Sequence, residues 1–287
     1  MSIVLDYTIW VMMIGTAVLG CVSGALGSFA VLRKQSLLGD SISHAALPGI
    51  GIAFMLTQSK SSGILLLGAF VAGLIGSILV MLIVKNTLIK EDSALGIILS
   101  VFFGLGLVIL TIIQKAPNAS QAGLSTFLFG SAATMLKGDI KVMGIIAFVA
   151  IVILMMFWKQ FKLISFDPQF AVTQSIPVKK MEVLLTTLMV AAIVIGLQTV
   201  GVVLMSAMVI APAAAARQWT NRLGQMVAIS ALFGAMSGII GVAISASYPK
   251  VPTGPIIVIV MSALVVLSLM IGTAQGILWE APKKRMK

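Results

Sequence analysis

Residues 63–84 read GILLLGAFVAGLIGSILVMLIV and contain no charged side chain. A helix needs about 20 consecutive apolar residues to cross the hydrocarbon core of a bilayer, so this run is long enough to span one. Comparable apolar runs recur along the chain at 8–31, 41–57, 94–114, 140–158, 183–200, 202–216, 224–247 and 255–278. Because these runs do not alternate apolar with polar residues as barrel strands do, they predict membrane-spanning helices.

Together the runs predict an all-α fold, a polytopic transmembrane helix bundle of about eight or nine spans per subunit. We expect a single transmembrane domain over residues 1–287. The run at 202–216 is short and leads into Pro212, which predicts a half-helix. The apolar stretch 124–136 is also too short to cross, and we interpret it as a re-entrant or interfacial segment.

Small residues recur at four-residue spacing within several of the predicted spans. On a helix this spacing produces a flat face that lets another backbone approach closely. The pattern predicts close helix crossings at Gly20 and Gly24, at Gly68, Ala72 and Gly76, and at Gly234 and Gly238.

Composition excludes an ordinary soluble domain. Of the 287 residues, 60% are hydrophobic and 9% are charged, whereas soluble domains carry about 25% charged residues. The net charge of +11 lies in short loops between the apolar runs. That placement indicates membrane orientation and not a nucleic-acid partner, so the expected surroundings are membrane lipid.

The basic residues also predict which side of the membrane each loop occupies. If the N-terminus lies outside, 14 of the 19 Lys and Arg residues fall inside, and Lys137 and Lys141 flank the uncertain segment. Only Lys60, Lys115 and Lys250 then fall outside. The positive-inside rule therefore predicts a multi-pass plasma-membrane protein with an outside N-terminus and a cytoplasmic C-terminus.

One segment places ionisable side chains inside a predicted span. Residues 39–49 read GDSISHAALPG, and His44 is the only histidine in the chain. Asp40 and His44 are four residues apart, so on a helix they share a face. If that helix begins near Lys34, Asp40 lies about 9 Å and His44 about 15 Å along it, near mid-bilayer. Pro48 is expected to interrupt the helix and to leave the His44 carbonyl without its N–H donor.

A carboxylate, an imidazole and a free carbonyl suit a divalent cation such as manganese, iron or zinc. Two side chains are too few for a complete site, so water, hydroxyls or a second copy of the chain would supply further ligands. Two structural interpretations compete with metal handling. Asp40 could cap the N-terminus of the helix, and His44 could form a hydrogen bond between helices.

The chain lacks the phosphate-binding pattern G-x-x-x-x-G-K-[ST] and shows no acid, base and nucleophile constellation. We therefore expect neither an enzyme nor a permanently bound cofactor. Energy for transport would come from a partner or from an ion gradient. Two predicted inside loops, 166–177 and 212–224, resemble docking surfaces, although their basic residues could serve orientation alone.

Several of these motifs resemble those of the metal-ion permease family of ABC transporters, which imports manganese, zinc and iron. The segment 39–49 resembles that family's second-span motif. Residues 167–171 resemble its cytoplasmic loop motif, although Gln169 stands where an acidic residue is usual. Further similarity lies at 200–205 with 211–214 and at the turn 252–255.

The resemblance implies a homodimer or close heterodimer of permeases, two cytoplasmic ATPase subunits and an extracellular metal-binding protein. It implies that Asp40 and His44 are metal-transit ligands. It also implies a coupling helix, which docks on the ATPase, formed by Arg217, Gln218, Trp219, Thr220, Asn221, Arg222 and Leu223. A single histidine favours manganese over zinc as the transported ion. A zinc or iron importer of the same family, a gradient-driven secondary transporter and a membrane scaffold are the alternatives.

Overall fold

The structure is a computed structural model that describes residues 7–59, 61–115, 137–248, 251–274 and 276. Over these residues the regular structure is entirely helical. The helices are α1 (Tyr7–Leu32), α2 (Leu38–Thr57), α3 (Ser62–Asn86), α4 (Glu91–Lys115), α5 (Lys137–Met156), α6 (Trp158–Phe166), α7 (Pro168–Thr173), α8 (Val178–Arg217), α9 (Leu223–Ser247) and α10 (Thr253–Ile271). The predicted re-entrant segment 124–136 lies outside the described residues.

Within the described residues, seven helical segments are long and apolar enough to cross a membrane. They lie in α1, α3, α4, α5, the first part of α8, α9 and α10. The predicted spans at 41–57 and 202–216 are also helical, as α2 and as the shorter apolar segment Leu204–Arg217. The all-helical, polytopic fold is therefore confirmed, and these two helices account for the larger predicted number of spans.

The helices form two compact units. The first unit contains α1, α5, α6, α7, α9, α10 and residues 207–217, and the second contains α2, α3, α4 and residues 179–206. The second unit carries the Asp40–His44 segment, whereas the first carries both predicted docking loops.

In the first unit, α1 and α9 cross through their small residues, as the glycine spacing predicts. A β-carbon on Gly20 would overlap the carbonyl group of Gly234, and one on Gly24 would overlap that of Ser230. The Ser230 hydroxyl donates a hydrogen bond of 2.7 Å to the Gly24 carbonyl. The crossing is thus held by close backbone packing and a buried hydrogen bond between the helices.

In the second unit, α2 packs against both α3 and α4. On the α3 side, the backbones of Gly49 and Gly68 approach so closely that neither position has room for a β-carbon. On the α4 side, Gly106 lies against Leu47 and Pro48. These contacts on two faces fix the rotation of α2 about its axis, and so the direction in which its polar residues project.

Helix α8 contains a backbone break at Gly201, between the apolar runs 183–200 and 202–216. Gly201 has φ 79° and ψ 173°, so residues 178–200 and 202–217 are separate helical segments. This backbone conformation is essentially restricted to glycine. The observation agrees with the predicted half-helix after residue 201.

Candidate metal-transit site

Asp40 and His44 lie closer to the first residue of their helix than the sequence predicts. Helix α2 starts at Leu38 and not near Lys34, because Lys34 adopts a left-handed conformation with φ 61° that ends helical continuity after α1. Asp40 therefore lies in the first turn of α2, and His44 lies about 9 Å from its start and not the predicted 15 Å. Leu37 occupies the N-cap position and no side chain caps the helix, so Asp40 is not the N-cap.

The structure brings the two predicted ligands together on one face of α2. Asp40 Oδ1 and His44 Nε2 are 3.4 Å apart. The side chain of Asp40 is 38% exposed and that of His44 is 19% exposed. Both side chains are accessible in part, so a cation could reach them without unfolding the helix.

The other imidazole nitrogen, His44 Nδ1, is buried and has no hydrogen-bond partner among the described residues. The imidazole packs edge-on against Phe103 of α4, with 4.6 Å between ring centroids and 69° between planes. Buried polar atoms are normally paired, so an unpaired one needs an explanation, and ligand binding is one. The alternative in which His44 joins two helices by a hydrogen bond finds no support in these contacts.

Pro48 does not interrupt the helix as predicted. Helix α2 continues through Pro48 to Thr57. Because proline has no N–H, the His44 carbonyl still lacks its usual donor four residues later. The α4 position Gly106, where a β-carbon would lie 3.3 Å from the Pro48 ring, leaves room for that ring. Neighbouring helices can thus accommodate proline inside a membrane helix.

The potential metal donors are therefore the Asp40 carboxylate, the His44 imidazole and the His44 carbonyl. The described residues contain no cluster of three or more His, Cys, Asp or Glu side chains that could hold a metal ion. The sequence indicated the two side chains but not Phe103. Nothing in the run 94–114 distinguishes Phe103 from its neighbour Phe102, and only the packing of α4 on α2 reveals the contact.

The predicted coupling helix at 217–223 is not a helix. Helix α8 ends at Arg217 and α9 begins at Leu223, and the five residues between them form a turn. Thr220 stabilises this turn, because its hydroxyl accepts a hydrogen bond from the Arg222 N–H and donates one to Gln225 Oε1. Such local side-chain bonding competes with helical backbone bonding.

Trp219 in this turn is held by its own chain. Its indole N–H donates to Ser268 Oγ of α10 at 3.0 Å, and the neighbouring Gln218 carbonyl accepts from the Ala274 N–H at 2.9 Å. Within the segment, Asn221 and Arg222 are exposed and Thr220 and Leu223 are buried. The structure thus gives Trp219 an internal anchoring role that the sequence did not predict.

The other predicted docking loop, 166–177, contains a capped helix. Asp167 Oδ1 accepts a hydrogen bond of 2.9 Å from the Phe170 N–H at the start of α7. Proline at the first helical position of α7 is favourable because its missing N–H would have no helical partner there. Phe166, Phe170 and Val172 are 55%, 49% and 65% exposed. This loop presents a small apolar surface on a defined helix.

The fold and the site define a polytopic helical membrane protein with a carboxylate–imidazole pair on one helix. Residues 5–272 match the model of the ABC 3 transport family. The chain therefore belongs to the ABC 3 transport family.

Among its relatives, the zinc transport system membrane protein TroC of Treponema pallidum (strain Nichols) is 47% identical over 280 residues, which cover 98% of this chain and 94% of TroC. The manganese transport system membrane protein MntC of Bacillus subtilis (strain 168) is 46% identical over 274 residues, covering 96% of this chain but 63% of that protein. The solved structure of PsaBC from Streptococcus pneumoniae in complex with Fab is similar with a TM-score of 0.81. That match is 32% identical and covers 94% of this chain and 93% of that one.

Proposed function

We propose that this chain is the membrane-spanning permease subunit of an ATP-driven importer of divalent metal ions, with manganese as the favoured substrate. The observation that carries the proposal is the Asp40–His44 pair, whose Oδ1 and Nε2 atoms are 3.4 Å apart on α2. Membership of the ABC 3 transport family and the metal named for TroC and MntC support the same class. The whole chain, residues 1–287, would form one permease domain.

In this proposal Asp40 and His44 hold the ion briefly during transit. A site with few protein ligands binds weakly, and a transported ion must be released as readily as it is bound. The His44 carbonyl receives no helical hydrogen bond because Pro48 has no N–H, so its oxygen would be a third ligand for the ion. Water or a second copy of the permease would complete the coordination.

The donor set favours manganese over zinc. Two of the three donors are oxygens, which suit manganese, whereas zinc favours nitrogen and sulfur ligands. One imidazole is nevertheless acceptable to zinc and iron, and TroC is named for zinc. A zinc or iron importer is therefore the second candidate within the same class.

ATP hydrolysis would take place in a separate cytoplasmic subunit, because the chain has no phosphate-binding loop of its own. The exposed apolar residues of the capped helix α7 support the loop 166–177 as the principal docking surface for that ATPase. The turn at 217–223 would be a secondary contact through the exposed Arg222, since Trp219 bonds within the chain.

An ATP-driven metal importer would require two further protein partners. An extracellular metal-binding protein would deliver the ion, and a second permease copy would complete the transmembrane assembly as a homodimer. The distribution of Lys and Arg supports a plasma-membrane orientation with the N-terminus outside and the C-terminus in the cytoplasm.

The test is transport by the reconstituted complex. Proteoliposomes would contain this chain with its ATPase subunit, and the metal-binding protein would be added outside. We expect uptake of labelled manganese that requires ATP and is reduced more by unlabelled manganese than by equal zinc or iron. Stronger competition by zinc or iron would reassign the substrate. Uptake driven by an ion gradient without ATP would instead support a secondary transporter.

A further inference from the structure

The first unit contains an apolar groove of about 810 Å³ between α1, α5, α6 and α9. Its volume lies in the range of roughly 300–1,000 Å³ that is typical of ligand-binding pockets. The groove is lined mainly by apolar side chains, including Ile151 and Leu154 of α5 and Val227 and Ala231 of α9. It lies entirely outside the unit that carries Asp40 and His44.

Polarity changes along this groove. The lining residues of α1, α5 and α9 belong to helices long and apolar enough to cross the membrane. The polar lining residues, Lys159 and Gln160, belong to α6, which begins just after α5 ends at Met156. An occupant must therefore be apolar over most of its length, with a head group beside α6 that accepts hydrogen bonds.

Lys159 carries a positive charge that the described part of the chain does not neutralise. Its side chain is exposed, and its ammonium group forms no ion pair or hydrogen bond with another described residue. Lysines at the membrane boundary attract anionic lipids at about 1 kcal/mol per residue. Charge complementarity thus favours a negatively charged head group over a zwitterionic one.

Aromatic rings pack together in the α6 part of the groove wall. Trp158 packs edge-on against Phe29 of α1, with 5.9 Å between ring centroids, and Phe29 also contacts Phe161 at 6.2 Å. Phe29 and Phe161 are fully buried. Tryptophan side chains favour the level of the lipid head groups. Trp158 therefore favours a position of the α6 part of the groove wall at that level.

We propose that this groove is a binding site for one anionic phospholipid of the leaflet that contains α6. One of its two acyl chains occupies the groove between α5 and α9, and its phosphate contacts the Lys159 ammonium and the Gln160 amide. Under the proposed orientation this is the cytoplasmic leaflet. The lipid site itself does not depend on which ion the protein transports.

The test uses the full-length chain purified in mild detergent and mixed with equal phosphatidylglycerol and phosphatidylcholine. Native mass spectrometry then counts the lipids retained on each permease copy. We expect one tightly retained phosphatidylglycerol per copy. Ala228→Phe, which places a large ring on the groove wall, should abolish retention. Its matched control is Ala246→Phe, at an exposed position of the same helix outside the groove, which should retain the lipid.

Charge variants provide a second test that does not depend on tolerance of a large side chain. Lys159→Gln should weaken retention about fivefold, whereas Lys159→Arg should preserve it. Lys162→Gln removes an exposed lysine of the same helix outside the groove and should have no effect. Equal retention of the two lipids, or unchanged retention in Ala228→Phe, would overturn the proposal. The proposal would also be overturned if the wild-type protein retained no lipid and formed a dimer that dissociated in the Ala228→Phe variant. In that case a second copy of the chain would fill the groove. Metal uptake is not measured, so the result is independent of the proposed transport function.

Discussion

Gly20 of α1 and Gly234 of α9 cross with their backbones in direct contact, and neither position has room for a β-carbon. Each added β-carbon would overlap the carbonyl oxygen of the other residue. The two helices would have to move apart and lose the buried Ser230–Gly24 hydrogen bond. This crossing therefore depends on glycine at both positions.

We predict that Gly234→Ala destabilises the protein by about 1–3 kcal/mol, as overpacking of a close interface does. A thermal unfolding curve in detergent measures the change. Gly104→Ala is the matched control, because a β-carbon there has no neighbouring atom within 4 Å. That variant should be neutral or slightly more stable, since alanine has the higher helix propensity. Equal unfolding temperatures for both variants would contradict the observed crossing.

Gly201→Ala should also destabilise the protein, for a different reason. At φ 79° and ψ 173°, an L-residue is strained by about 1–3 kcal/mol whatever space surrounds it. The substitution should lower the unfolding temperature and reduce transport, because the chain would avoid the break between residues 200 and 202. Wild-type stability and uptake in this variant would mean that the break is not needed.

Phe103 is predicted to position the His44 imidazole through its edge-on contact. Phe103→Leu keeps an apolar side chain but removes the ring, so the imidazole becomes free to rotate. We expect the KM for manganese uptake to rise severalfold while the amount of folded protein stays the same. Phe102→Leu alters the adjacent aromatic residue on the same helix and should leave KM unchanged. A similar KM in both variants would remove Phe103 from the site.

The loop 166–177 is predicted to bind the ATPase through the apolar side chains beside its capped helix. Phe170→Ala should weaken co-purification of the ATPase without lowering the unfolding temperature. The control Phe148→Ala truncates a phenylalanine that is 69% exposed in a membrane-spanning helix, and it should leave co-purification unchanged.

The cap of that helix provides a further comparison. Asp167→Ala removes the acceptor for the Phe170 N–H and should cost α7 about 1 kcal/mol, whereas Asp167→Ser retains a capping oxygen. ATPase binding should fall in the first variant and recover in the second. If Trp219→Ala abolished binding while all variants of the 166–177 loop bound normally, the turn at 217–223 would be the principal contact instead.

The sequence predicted those features that depend on local composition. Apolar run length indicated the membrane helices and the half-helix over 202–216, and the glycine spacing indicated the α1–α9 crossing. The Asp40–His44 spacing likewise placed both side chains on one helical face. Each of these follows from helical periodicity or run length alone.

Features that depend on packing or on single backbone conformations were predicted less well. The left-handed conformation of Lys34 moved the start of α2, and the glycine on α4 allowed the helix to continue through Pro48. The segment 217–223, which was predicted as a helix, contains a turn that the hydrogen bonds of Thr220 and Trp219 stabilise. The contacts of Pro48 with Gly106 and of Trp219 with Ser268 join residues distant in sequence, and an apolar run does not show which partners its helix will contact. The Lys34 conformation and the Thr220 bonds are local, but helical periodicity and run length do not indicate them.

The most direct test of metal transit is ATP-dependent manganese uptake by His44→Ala and Asp40→Ala, with ATPase activity measured in the same proteoliposomes. The proposal predicts uptake below about a tenth of wild type in both variants, as loss of an essential ligand would cause, with normal assembly and ATP hydrolysis. Ser36→Ala, a substitution in the exposed connection before α2, should transport normally. Wild-type uptake by both His44→Ala and Asp40→Ala would contradict the proposed site.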